Sequence, residues 1–239
     1  MPMNPLVKFL LIGILMSACT AQQVQQITDA IGYEDKLTAD QVASGLKEAL
    51  EKGVTTGTQK VGKVDGYFKN PKIKIPFPPD VQKVENTLRD LGMGSEVDRF
   101  VKTLNRGAEQ AAKEAKPVFV SAIKQMTIND AWDILKGDNK QAATNYLKRT
   151  TSSELRVKFR PIVKKALDNT NATKYYGDIV RRYNQIPLID KVDPDLEEYA
   201  TQKAMDGLFL MIAQEEKKLR AHPAARTTAQ LKNVYKEQD

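Results

Sequence analysis

A chain of 239 residues suffices for one large domain or two modest ones. Its 41% apolar and 28% charged content excludes disorder throughout, and one cysteine with one histidine excludes both an intramolecular disulfide framework and a Cys/His zinc cluster. The net charge of +7 matters only where it is concentrated.

The first 18 residues have the pattern of a secretory signal: Lys8, an apolar run from Phe9 to Met16, then Ser17 and Ala18. The run is too short to span the ~30 Å of a bilayer core, which takes ~20 apolar residues as a helix. Leu15-Met16-Ser17-Ala18-Cys19 resembles the lipobox of bacterial lipoproteins, with Met16 where Leu, Val or Ile usually stands. The resemblance implies that cleavage leaves Cys19 as the acylated, palmitate-bearing first residue of a periplasmic protein. Thr20, rather than Asp, follows the cysteine, which in the same sorting pattern favours the outer membrane. Residues 19–36 are polar and weakly periodic and read as a tether.

From residue 37 to 239 the pattern is that of one all-α, multi-helix domain. Thr38 and Gln41 form a capping box, and Val42, Leu46 and Leu50 start a helix that can run to Val61. Residues 65–76 interrupt it. Asp65-Gly66 and Asn70-Pro71 are turn signals, and Lys72-Ile73-Lys74-Ile75 alternates, so a short extended arm or β-hairpin is expected. Its isoleucines either cover the helical core or offer an edge strand to a partner.

Helical spacing resumes at Val81–Leu91 and again after Ser95, with Asp98 as its capping partner. In the latter helix Ala108, Ala111, Ala112 and Ala115 allow a neighbouring helix to come close. Pro117 marks a kink or restart, and Thr127 with Asp130 opens a short helix ended by Gly137. Residues 139–149, 152–168, 172–185 and 195–219 are read as separate helices, and Thr227 caps a last one.

Several stretches resemble a bacterial family catalogued as domain of unknown function 4197. They are Ile73-Lys74-Ile75-Pro76-Phe77-Pro78, Asn105-Arg106-Gly107-Ala108-Glu109-Gln110-Ala111-Ala112, Phe159-Arg160-Pro161-Ile162-Val163, Lys203-Ala204-Met205-Asp206-Gly207-Leu208-Phe209 and Pro223-Ala224-Ala225-Arg226-Thr227-Thr228. The resemblance implies one predominantly helical domain and carries no activity, substrate or catalytic residue.

Charge concentrates between Lys140 and Arg182, where eleven basic residues face three acidic ones. Arg156, Lys158, Arg160, Lys164, Arg181 and Arg182 are the candidate contacts for an anionic lipid headgroup or an acidic envelope protein. The competing reading is a solvated basic face. A periplasmic address disfavours nucleic acid, and no phosphate loop or stacking platform argues for it.

Asp190, Asp193, Asp195, Glu197 and Glu198 lack the EF-hand order and read as a helix start, with Asp193 as cap and Pro194 at the first helical position. His222 reads as a surface turn residue, and Arg226 as half of a structural pair. No nucleophile, metal or cofactor motif is present, so no catalytic residue, metal or cofactor is expected. The expectation is a lipid-anchored binding or scaffolding module on the periplasmic side of the outer membrane, touching the membrane through its N-terminal lipid. The alternative is a carrier of an apolar ligand among helices containing Met126, Met205 and Met211. Nothing in the sequence sets the oligomeric state.

Overall fold

Thr38 opens the first helix, α1 (Ala39–Gly62), with a reciprocal cap: the Gln41 N–H donates to the Thr38 hydroxyl at 3.2 Å and the Thr38 N–H to the Gln41 side chain at 2.8 Å. The computed structural model describes residues 38–221 except 91, 138, 170–175, 178–179, 182–183, 186, 188–190 and 192–194. The signal, Cys19, the tether, Arg182, Asp193, His222, Arg226 and the helix expected after Thr227 lie outside the described residues.

An arm of turns and extended chain, residues 63–78, follows α1. A 3-10 turn (Pro79–Val81) then leads into α2 (Gln82–Asp90), and α3 (Gly94–Lys113) follows. Beyond these come α4 (Ala115–Gln125), α5 (Ile128–Lys136), α6 (Ala142–Asp168) and α7 (Leu196–Ala221). The architecture is all-α, with no strand among the described residues.

Helix α1 packs against α7, α4, α3 and α5, while α6 lies between α3 and α7. Leu46, Leu104, Phe119, Leu147, Phe159 and Leu208 are fully buried at these contacts, and Phe119 meets Phe209 edge-on with ring centroids 5.7 Å apart. The alanine face of α3 is buried as its spacing predicts: Ala108, Ala111 and Ala112 expose no surface. A Cβ at Gly57 of α1 would lie 2.6 Å from Ile212 Cδ1, so the absent side chain sets the α1–α7 approach.

Local hydrogen bonding explains where the elements end. Thr127 and Asp130 form the expected reciprocal cap of α5. Glu114 separates α3 from α4, and Pro117 falls in the first turn of α4, where its missing N–H has no helical acceptor to lose. Ser95 does not cap α3: the helix begins at Gly94, the Ser95 hydroxyl bonds Glu96, and Asp98 pairs with Arg89 at 2.9 Å.

Residues 139–149 and 152–168 are one 27-residue helix rather than two. Thr150 and Thr151 stand at the expected gap, and hydroxyls there can compete for backbone partners. Here the hydroxyls of Thr150, Thr151 and Ser152 each donate back to the carbonyl four residues earlier, on Tyr146, Leu147 and Lys148.

Three buried carboxylates tie the helices together. Glu216 accepts from the N–H groups of Ala143 and Thr144 and from the Thr144 hydroxyl, which caps α6 from α7. Glu109 acts on the arm, as described below. Glu215 receives Lys60 at 2.6 Å and Lys218 at 3.1 Å. Burial pushes the Glu215 carboxyl up, but the two ammonium groups outweigh it and hold the group below the usual carboxylate range.

Asp65 is lowered by Lys69 and Arg106, and Asp130 by the Thr127 hydroxyl and N–H. In all three the unfolded chain binds protons at a higher pH than the folded one. The stability they contribute is therefore present above the ordinary carboxylate pKa of ~4 and lost as pH falls through the lowered values. Urea midpoints are expected to be level from neutrality to about pH 5 and to fall below about pH 4, with Lys60→Met removing part of the fall.

Candidate functional site

The arm is built by consecutive turns. Asp65 takes a left-handed backbone (φ 66°), which its short polar side chain tolerates, and it pairs with Lys69 and Arg106. Both Ile73 and Lys74 donate their N–H to the Asn70 carbonyl, and the chain then runs extended through Pro76. Ile73, Ile75 and Phe77 are buried while Lys72, Lys74 and Pro76 are exposed, so the alternation is real.

The hairpin alternative is overturned. The partner of the extended chain is a side chain of α3 and not a second strand. Asn105, with no exposed surface, accepts the Ile75 N–H at 2.9 Å and donates to the Ile75 carbonyl at 2.8 Å, reproducing the pair of bonds a strand would make. One turn along α3, buried Glu109 accepts the N–H groups of Tyr67 and Phe68 and pairs with Arg106. The isoleucines thus cover the core, and Asn105 occupies the positions on Ile75 that an added strand would use.

On its other side the arm lies against α7. The Tyr67 hydroxyl donates to the Ala204 carbonyl at 2.6 Å, and burial, with the nearby charges of Glu109 and Asp206, pushes the phenol far above its ordinary pKa. The Tyr199 hydroxyl reaches the Pro76 carbonyl at 3.3 Å. A Cβ at Gly207 would lie 2.7 Å from the Tyr67 ring and 3.1 Å from Ile73 Cβ, so glycine is what lets arm and helix approach this closely.

Between them opens a cleft of about 220 Å³. Lys72, Ile73, Lys74 and Pro76 form one wall, and Lys203, Asp206, Gly207 and Leu210 the other. Lys74 stands 4.9 Å over the Phe68 ring and Lys203 5.9 Å from that of Tyr199. Asp206 accepts from the Gln202 amide, and none of the three lysines has an ion pair with a described carboxylate. Leu210 leaves 42% of its surface exposed beside them. Three uncompensated ammonium groups, one carboxylate and an apolar strip can hold an anion with a small attached body.

The basic stretch of α6 has a different environment. Arg156 pairs with Glu198 and hydrogen-bonds Gln202, while Arg160 reaches Glu197 at 3.1 Å and Asp195 at 3.2 Å. Lys158 lies 3.9 Å from Glu154, and Lys164 2.8 Å from Asp168. Arg156 and Arg160 do share a face, as their spacing predicts, and that face forms an ion-pair seam with the start of α7. Arg181 is exposed, while Tyr176 and Val180 are buried.

The acidic cluster of α7 serves this seam and the helix start. The Asp195 carboxylate accepts the Glu198 N–H at 2.8 Å at the start of α7. No group of three or more metal-ligating side chains converges among the described residues. Nor is any described helix long and apolar enough to cross a membrane.

A family model described as Protein of unknown function (DUF4197) matches residues 36–236. The chain belongs to that family. No curated protein and no solved structure matches it. Three of the stretches that resemble the DUF4197 family meet at the cleft: Ile73–Pro78 is one wall, Lys203–Phe209 the other, and Asn105–Ala112 locks the arm from behind. Sequence reasoning missed the cleft because its walls stand some 130 residues apart. Two local signals pointed toward it: a glycine in the middle of α7, and polar Asn105 and Glu109 on an otherwise apolar helix face.

The interior offers little room for a ligand between α1, α6 and α7. The cavity there is about 10 Å³, at the lower limit for one water. Met126, Met205 and Met211 are buried as packing.

Proposed function

We propose that this DUF4197 chain is a lipid-anchored binding module of the cell envelope, non-catalytic, whose contact site is the lysine-lined cleft between the arm and α7. The lipobox-like segment ending at Cys19 supports the anchoring. The binding role is carried by one observation: Lys72, Lys74 and Lys203 line one cleft and have no ion pair with a described carboxylate, whereas Arg156 and Arg160 are already paired.

Two measurements test this reading. Cys19→Ala is expected to move the protein out of the membrane fraction of cells; an unchanged fraction refutes the anchor. In the folded protein at physiological salt, added small anions are expected to shift amide resonances of residues 72–76 and 203–210. The triple variant Lys72→Gln/Lys74→Gln/Lys203→Gln should abolish those shifts while keeping the fold, since all three side chains are exposed. Shifts spread over α6 instead would refute the cleft as contact site.

A further inference from the structure

We infer that the cleft binds a phosphate ester of a small alcohol that carries a further hydroxyl or amino group, an inference that rests on the cleft being the contact site proposed above. The first argument is the kind of cation. The cations that line the cleft are lysines, delivered separately by the arm and by α7, and no described arginine lines it. A guanidinium fork serves carboxylate and phosphate alike, whereas a lysine ammonium acts as a point charge. Phosphate oxygens spread around a tetrahedron and accept from several independently placed ammonium groups.

The second argument is Asp206. Its carboxylate sits in the same wall as Lys203 and is exposed. It opposes a second phosphate and accepts from a hydroxyl or ammonium group, which gives the cleft a positive end and a negative end. The third argument is size. At about 220 Å³ the space lies below the ~300–1,000 Å³ of drug-sized sites and suits a headgroup-sized molecule, with Leu210 and Pro76 against its carbon atoms.

The test is titration of the full-length protein with ethanolamine phosphate, glycerol 3-phosphate, inorganic phosphate and glutarate. The two esters should bind more tightly than glutarate, and the triple lysine-to-glutamine variant should weaken them about tenfold or more. Asp206→Asn should move two probes in opposite directions, weakening ethanolamine phosphate and strengthening inorganic phosphate. Equal binding of glutarate and the esters, or affinity indifferent to the lysines, overturns the inference.

A second arm separates the source of the ester. Competition by vesicles of phosphatidylethanolamine and phosphatidylglycerol supports a lipid headgroup, whereas ester binding that vesicles cannot displace supports a free soluble ester. If an acidic peptide occupies the cleft and the esters do not, the ligand class is refuted while the cleft stands as contact site. If no anion reaches the cleft, the proposed function fails with it.

Discussion

Asn105→Leu is expected to destabilise the fold by about 3–4 kcal/mol, read as a lower urea midpoint and a melting temperature reduced by roughly 10 °C. Leucine keeps the branched shape and suits a helix, so neither a cavity nor lost propensity is the cause, though its bulkier methyl groups add some overpacking. The cost comes from Ile75, buried to 1% exposure, whose N–H and carbonyl both lose their partner. Each buried main-chain group left unpaired costs ~1–3 kcal/mol. The third bond of Asn105, to the Val101 carbonyl at 2.7 Å, adds little, because that carbonyl lies inside a helix and still accepts a main-chain N–H. If Asn105→Leu unfolds at the wild-type midpoint, the arm is not held by this side chain.

Glu109→Ala should cost a comparable or larger amount, about 3–5 kcal/mol, by equilibrium denaturation. Removing the buried carboxylate leaves the N–H groups of Tyr67 and Phe68 without their acceptor and leaves Arg106 with Asp65 as its remaining partner. Glu109→Gln retains an acceptor for the N–H groups and is expected to cost less, and the difference between the variants isolates the charge. Asn105 and Glu109 hold one segment. The double variant should therefore be less destabilised than the sum of the singles, because an arm released by the first change has less left to lose. Both variants should also weaken anion binding at the cleft, since one of its walls is the arm itself.

Much of the fold was legible locally. The capping boxes at Thr38 and Thr127 and the restart near Pro117 involve residues three or four apart, and short-range hydrogen bonding settles them. The alternation of Ile73 and Ile75 with Lys72 and Lys74 reported burial correctly but not its partner. Alternation only states that one face is covered, and here a helix side chain covers it. The misplaced features share one cause. Ser95 has the chemistry of a cap, and Thr150 and Thr151 fall between two expected helices. Neighbours decided otherwise, because a hydroxyl or carboxylate takes whichever donor or acceptor the fold brings nearest.

The charged residues show the same division. The amino-acid order alone determined an all-α class, the amphipathic faces and the excess of cations in 140–182, since these depend on residue type and a 3.6-residue period. It could not determine which cations are neutralised. Arg156 and Glu198 are 42 residues apart, and only the packing of α6 on α7 makes them a pair. Lys74 and Lys203 are more remote still, and only the close contact allowed by Gly207 brings them to one cleft. Electrostatic attraction falls with distance in space and takes no account of distance along the chain, so the contact surface was decided by tertiary structure.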